Sequence, residues 1–391
     1  MTVSEGKQAG NGGAPLAAIW QGKGDQKQAE RILGNAVTML LGFSVVLMAV
    51  FYLFQEPFLY AFGASDATIG YAMDYLSIYL AGTLFVQLAL GLNPFLISQG
   101  RSREAMLSIV IGAVINIVLD PLFIFVFDWG VKGAAIATVL SQAVSAAWNV
   151  KCLVDKKAVL RIVPEQMKPD WKIMGKVGSL GISPFIMRST ESLISVVLNR
   201  GLQLYGGDLY VGSLTIMQSV MQLFSAPLNG FTQGVQPIIS YNFGAGNFER
   251  VKKTYRVMIT VSFLSSFVLT LSSMILPEFY AGMFTSDREL IRLVGQVMPI
   301  FSAGMLIFGL QCGIQPTFLG LGQAKISLFI ALLRKVILLV PLALILPEFW
   351  GVMGIYYAEQ IADVLSSLTA SVLFLLNIKK ILSREALEKI R

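Results

Sequence analysis

Two stretches of the chain share the same glycine and proline positions: residues 12–24 read GGAPLAAIWQGKG, and residues 234–246 read GVQPIISYNFGAG. Pro15 and Pro237 are 222 residues apart, and three glycines in each stretch are separated by the same interval. Glycine and proline permit or restrict particular backbone conformations. Their recurrence therefore predicts a repeated backbone path rather than a shared composition.

The repeat continues beyond these stretches. Residues 91–100 and 313–322 share a Gly-x2-Pro-x5-Gly pattern at the same separation, and the motif WGVxG at 129–133 returns at 350–354, one residue out of step. Residues 171–224 have no counterpart, because positions 222 residues earlier fall almost entirely before Met1. We therefore expect about fifty residues of the first half to be missing from this chain.

The composition is that of a membrane protein. Hydrophobic residues make up 55% of the chain and charged residues only 14%, against about 25% charged in a typical soluble domain. The mean hydropathy is +0.69, and apolar runs near the length of a bilayer span recur throughout. We expect a lipid bilayer as the main partner, with no nucleic acid and no obligate protein partner.

These runs predict an all-α, polytopic membrane protein of two parallel-repeat helical lobes. We expect one partial segment at 10–21 and ten full transmembrane helices, at about 32–54, 75–98, 106–127, 131–153, 175–199, 209–239, 255–276, 294–319, 326–346 and 352–376.

Basic residues concentrate in alternate loops, which indicates the cytoplasmic side. The predicted N-terminal lobe (1–154), the inter-lobe linker (155–172) and the C-terminal lobe (173–391) each begin on that side, as both termini do. Two such lobes around a central cleft favour a solute carrier that works by alternating access. Parallel repeats can also serve structure alone.

No enzymatic site is evident. The chain has no histidine, two cysteines without metal-ligand spacing, and no Gly-x4-Gly-Lys-Ser/Thr phosphate loop. Without a nucleotide site, transport would be secondary and driven by an ion gradient. We therefore expect no cofactor other than a coupling ion, H+ or Na+, and no metal site beyond one for Na+.

Several motifs resemble the MATE (multidrug and toxic compound extrusion) transporters, nearest their MepA-like branch. They are GGAP at 12–15, GKGD at 22–25, Asn116-x3-Asp120-Pro121, GVxGAAxAT at 130–138 and Pro237-x6-GAGN at 244–247. The resemblance implies twelve helices in two lobes and export of cationic drugs across the cell membrane in exchange for H+ or Na+. This chain lacks the expected first helix and part of the second.

Asn116 and Asp120 share one helix face, and Thr138 follows on the next helix. Amide, carboxylate and hydroxyl oxygens suit Na+, or a carboxylate that exchanges a proton. The resemblance implies that these three residues form the N-lobe cation site. Their repeat partners are apolar, since Asn116 and Asp120 align with Val336 and Val340. A carboxylate solvated at the outer membrane interface is the alternative.

The C-lobe offers further candidates for a substrate cavity. Glu359 and Asp363 share a face of the last helix and either bind a cation or anchor packing through Arg334 or Lys335. Glu191 lies three residues after Arg188 and either lines the cavity or forms an internal ion pair. The other candidates are Met187, Met217, Met221, Gln218 and Gln222, with Asn229 and Gln233, for which ordinary helix packing is the alternative.

The leading functional hypothesis is a multidrug antiporter for organic cations. A flippase for a lipid-linked precursor is one alternative, although it would favour a basic cleft. A truncated, non-transporting remnant is the other alternative, and it follows from the missing helices.

Overall fold

The computed structural model describes residues 2–61, 65–66, 68–383 and 387, with side chains described from residue 9 onward except at 188, 192 and 193. Within these ranges the chain is almost entirely helical and contains no β-strand. It divides into two compact units, Met1–Phe185 and Ile186–Arg391. An all-α fold, as the sequence predicts, is confirmed.

The first unit contains eight helices, the last of which continues into the second unit. They are α1 (Thr2–Gly22), α2 (Gln26–Leu53), α3 (Gln55–Ala61), α4 (Ile69–Ala81), α5 (Thr83–Ser98), α6 (Ser102–Pro121), α7 (Gly130–Val154) and α8 (Trp171–Gly206). A π-helical segment, Leu122–Val126, follows α6, and a 3-10 turn, Pro164–Met167, precedes α8.

The second unit continues with α9 (Asp208–Gly244), α10 (Phe248–Ile275), α11 (Pro277–Gly282), α12 (Arg288–Ser302), α13 (Met305–Gly320), α14 (Ala324–Leu332), α15 (Val340–Trp350) and α16 (Val352–Ile381). A π-helical segment, Leu333–Leu339, joins α14 to α15. The core of this unit is apolar and is built mainly from α9, α12 and α16, with Met217 and Tyr356 fully buried at its centre.

Every predicted transmembrane run coincides with helix, and the polytopic membrane fold is confirmed. In the described part of the chain, five helices are long and apolar enough to cross a membrane. The number rises to seven if the bent pairs α4–α5 and α12–α13 each form one span. The other predicted spans are helical but less hydrophobic, so the count of ten stays a prediction.

The predicted partial segment at 10–21 is too short. Helix α1 extends from Thr2 to Gly22, because the polar residues at its start do not interrupt the helix. Its small side chains, such as Ala17 and Ala18, are fully buried, and α1 packs closely against α5 and α2. Helix–helix packing rather than hydropathy accounts for this element.

The backbone repeats as the glycine pattern predicts. Seven described glycines have positive φ, and six of them form pairs separated by 222 or 221 residues: Gly24 and Gly246 (φ 81° and 73°), Gly100 and Gly322 (78° and 73°), and Gly130 and Gly351 (49° and 55°). The bends within α4–α5 and α12–α13 also correspond, at 55° and 50°. The repeat is therefore structural, and the parallel orientation of its two copies stays a prediction.

The predicted linker, 155–172, packs on the first unit. Asp170 forms an ion pair with Arg31 at 2.9 Å, and its backbone N–H donates to Oδ1 of Asn35 at 2.7 Å. The hydroxyl of Thr38 donates to the Met167 carbonyl at 2.8 Å. The described compact unit therefore includes this segment and the start of α8, while the lobe boundaries at 154 and 173 stay predictions.

Close packing of α13 against α10 depends on two glycines four residues apart. An added Cβ at Gly309 would lie 2.5 Å from the Ser262 carbonyl oxygen and 2.6 Å from Cβ of Ser266. At Gly313 it would lie 2.7 Å from Cα of Ile259. Small residues at this spacing let membrane helices approach closely.

Gly309→Leu is expected to destabilise the second unit by about 1–3 kcal/mol, because the backbone of α10 cannot move away without losing its own contacts. The thermal unfolding midpoint in detergent would measure the loss. Gly230→Leu is the matched control, since an added Cβ there meets no atom within 4 Å. Equal midpoints for the two variants would contradict this account of the packing.

Candidate functional site

Asn116 and Asp120 are two polar residues in the apolar second half of α6. The Asn116 side-chain amide donates to Oδ1 of Asp120 at 3.2 Å, and both residues are half-buried. Neighbouring side chains such as Ile117 and Val118 are exposed at 70% and 60%, as expected of a lipid-facing helix. Asp120 forms no ion pair with any lysine or arginine that the structure describes.

Thr138 lies on α7, which packs against α6. Its hydroxyl donates to the Ala134 carbonyl of its own helix at 3.0 Å. Among the described side chains, no hydrogen bond connects Thr138 to Asn116 or Asp120. The structure thus brings two of the three predicted residues together, and the complete set stays a prediction.

The buried charges of the second unit converge on Arg334. Its Nε lies 2.5 Å from Oδ1 of Asp363, and its Nη2 lies 3.2 Å from Oε1 of Glu359. The guanidinium carbon also lies 4.2 Å from the ring centroid of Phe308. One arginine therefore contacts both acids of α16 and an aromatic face of α13.

Two consecutive cations of the π-helical segment Leu333–Leu339 are buried: Arg334 and Lys335 are only 9% and 8% exposed. Single π-helical turns within α-helices are frequent at functional sites.

Two carboxylate oxygens of this cluster, Oε2 of Glu359 and Oδ2 of Asp363, have no hydrogen-bond partner among the described residues. The same is true of both side-chain amide atoms of Gln311, elsewhere in the second unit. Gln311 is 1% exposed and lies one turn from Phe308 on α13. Because buried polar groups are normally satisfied, this concentration of unpartnered atoms is unusual.

The remaining candidates lie in different environments. Met187 is half-buried, with its sulfur 3.0 Å from the Gln315 amide, whereas Met217 belongs to the apolar core. Met221 packs against that core. The exposed face of α9 carries Gln218, Gln222, Asn229 and Gln233. Whether any of these residues binds substrate stays a prediction.

Glu191 is exposed on α8. The Arg188 side chain, its predicted alternative partner, lies outside the described side chains.

Sequence reasoning did not identify Phe308 or Gln311. Phe308 is one of 25 phenylalanines, so its residue type carries no signal. The only indication in the sequence is Gln311, a polar residue one turn after Phe308 in an apolar run. Glutamine is common enough in membrane helices that this residue does not stand out.

Known proteins are similar in sequence to this chain along most of its length. The MatE family model matches residues 7–122 and 185–345. The multidrug export protein MepA of Staphylococcus aureus is 26% identical over 331 residues, which cover 84% of this chain and 72% of that protein. Its counterpart in Staphylococcus saprophyticus is 25% identical over 334 residues, or 85% and 72% of the two chains.

Solved structures agree with this assignment. A MATE crystal structure in the bent conformation superposes with a TM-score of 0.91 at 22% identity, covering 100% of this chain and 86% of that one. An outward-facing multidrug resistance MATE family transporter gives 0.90 at 21% identity, covering 97% and 85%. The family model matches well over half of the chain, and the helical fold agrees with it; the chain belongs to the MatE family.

Proposed function

We propose that this protein exports organic cations from the cell by alternating access, in exchange for H+ or Na+ bound at Asp120. The observation that carries the proposal is the half-buried Asp120 carboxylate, hydrogen-bonded to Asn116 within an apolar helix. Ionisable groups in membrane helices are costly and mostly serve ion or substrate pathways. Thr138 contributes a third ligand if its hydroxyl leaves the Ala134 carbonyl.

Asp120 differs from the buried acids of the second unit in its neighbours. Asp363 and Glu359 contact Arg334, whereas the neutral amide of Asn116 is the only hydrogen-bond partner of Asp120 among the described residues. A carboxylate that is not paired with a described lysine or arginine is available to a proton or to Na+. This contrast supports the first unit as the location of the coupling site.

The substrate class follows from chemistry and from the relatives. MepA is a multidrug export protein. Acidic groups and aromatic faces in membrane helices attract flat organic cations. We further propose a cell-membrane location with both termini cytoplasmic, on the basis of the basic residues in alternate loops.

The test is flux of ethidium, a flat fluorescent cation, in vesicles containing the purified chain. An imposed H+ or Na+ gradient is expected to drive ethidium against its concentration gradient, and replacing one gradient by the other identifies the coupling ion. A potential of 100 mV supplies about 2.3 kcal/mol per charge, so it must be clamped.

Protein-free vesicles give the background rate. Ethidium movement at that rate under every gradient would overturn the proposal and favour a non-transporting protein. Movement of a pyrophosphate-linked lipid without ethidium flux would instead favour the flippase alternative.

A further inference from the structure

We propose that Phe308, Glu359 and Asp363 form a binding site for a planar cation, and that the protein's own Arg334 occupies this site as a tethered ligand. A free guanidinium or amidinium-type cation would bind in its place. The site lies entirely within the second unit and is separate from the Asn116–Asp120 pair.

Arg334 contacts Phe308, Glu359 and Asp363 in the way that a bound planar cation would. The guanidinium carbon lies over the Phe308 ring, 4.2 Å from its centroid, while the guanidinium nitrogens contact Asp363 at 2.5 Å and Glu359 at 3.2 Å. A planar ion that stacks on a ring and forms hydrogen bonds along its edge matches this arrangement better than a spherical one. Helices α13 and α16 supply the site, and the segment between α14 and α15 supplies its occupant.

The site also offers more hydrogen-bonding capacity than Arg334 uses. One oxygen of Glu359 and one oxygen of Asp363 are buried without a partner among the described residues. An ion pair that served packing alone would gain by satisfying these atoms. These unused acceptors suit a ligand with more N–H groups, or a different orientation, than the Arg334 side chain provides.

A small cavity of about 30 Å³ adjoins the site and is lined by Phe308, Met305 and Cys312 among others. Arg334 lies on a π-helical segment, and such segments are frequent at functional sites.

Occupation by Arg334 has a consequence for transport. Glu359 and Asp363 cannot bind an external cation until Arg334 is displaced. An exported cation would therefore compete with Arg334 for these two carboxylates. That consequence rests on the proposed function. The site itself does not, because it can be tested by binding alone.

The test uses Arg334→Ala in lipid nanodiscs, with guanidinium chloride as the probe and sodium chloride at matched ionic strength as the reference. We expect saturable guanidinium binding and a raised thermal unfolding midpoint in this variant, with neither effect in the native chain. Arg256→Ala, which removes an exposed arginine of the same unit, is the matched control and should behave as the native chain. A guanidinium effect of equal size in all three proteins would overturn the proposal.

The variant leaves Glu359 and Asp363 without their arginine partner and can fail to fold. Purification with guanidinium present is then the readout, and recovery of folded protein by guanidinium but not by sodium supports the site. If neither salt recovers it, the double variant Arg334→Ala/Asp363→Asn removes one charge of each sign. Weaker saturable binding, through Glu359 and Phe308, is expected there, and its absence would overturn the proposal. These outcomes are independent of ethidium flux.

Discussion

Asp120→Asn is expected to abolish gradient-driven ethidium flux, so that ethidium moves only at the rate of protein-free vesicles. This is the largest functional effect that we expect from a single substitution. The amide has nearly the same shape as the carboxylate and can still form a hydrogen bond with Asn116. It can neither exchange a proton near neutral pH nor offset the charge of Na+. Coupling is therefore lost while the fold is retained.

The matched control is Asp128→Asn, the same substitution eight residues later at an exposed position. Asp128 has a left-handed φ of 56°, which asparagine also tolerates. We expect native flux from this variant and native unfolding midpoints from both. Coupled flux in Asp120→Asn equal to that of Asp128→Asn would exclude Asp120 as the coupling site, even if the protein transports.

The repeated backbone could be predicted from sequence because it is imposed by individual residues. Gly24 and Gly246 adopt positive φ, a conformation that few other residues accept, so their recurrence marks one turn made twice. The Asn116–Asp120 pair was predictable for a similar reason, since a four-residue spacing fixes proximity on one helix. Thr138 lies on another helix, and its distance from that pair depends on packing.

The extent of α1 and the contacts around Arg334 could not be predicted from residue type and spacing. Hydropathy detects helices that face lipid, whereas α1 is held by small residues packed against its neighbours. For Glu359 and Asp363, the sequence left open whether the acids bind a cation or pair with Arg334 or Lys335. Both cations lie in the π-helical segment Leu333–Leu339, and periodicity based on a regular α-helix does not predict such a segment.

Asp363→Ala is expected to cause the largest loss of stability, about 3 kcal/mol, because it breaks the buried Arg334–Asp363 ion pair, although Glu359 still balances the charge of the guanidinium. Asp363 is 1% exposed, so water cannot replace the lost contact without entering the core. The thermal unfolding midpoint in detergent measures the effect. Glu348→Ala removes an exposed acid of α15 and should change stability by no more than about 0.5 kcal/mol.

A variant without any of the three charges separates lost charge pairing from lost volume. Replacing a whole buried ion cluster by uncharged side chains of similar size is often neutral or stabilising, whereas removing one partner is costly. Arg334→Met/Glu359→Gln/Asp363→Leu should therefore be more stable than Asp363→Ala alone, although it contains three substitutions. If it is no more stable, packing volume rather than the broken ion pair determines the effect of Asp363. If it is more stable, the buried charges are not required for the fold, and their presence in a membrane helix bundle is better explained by binding.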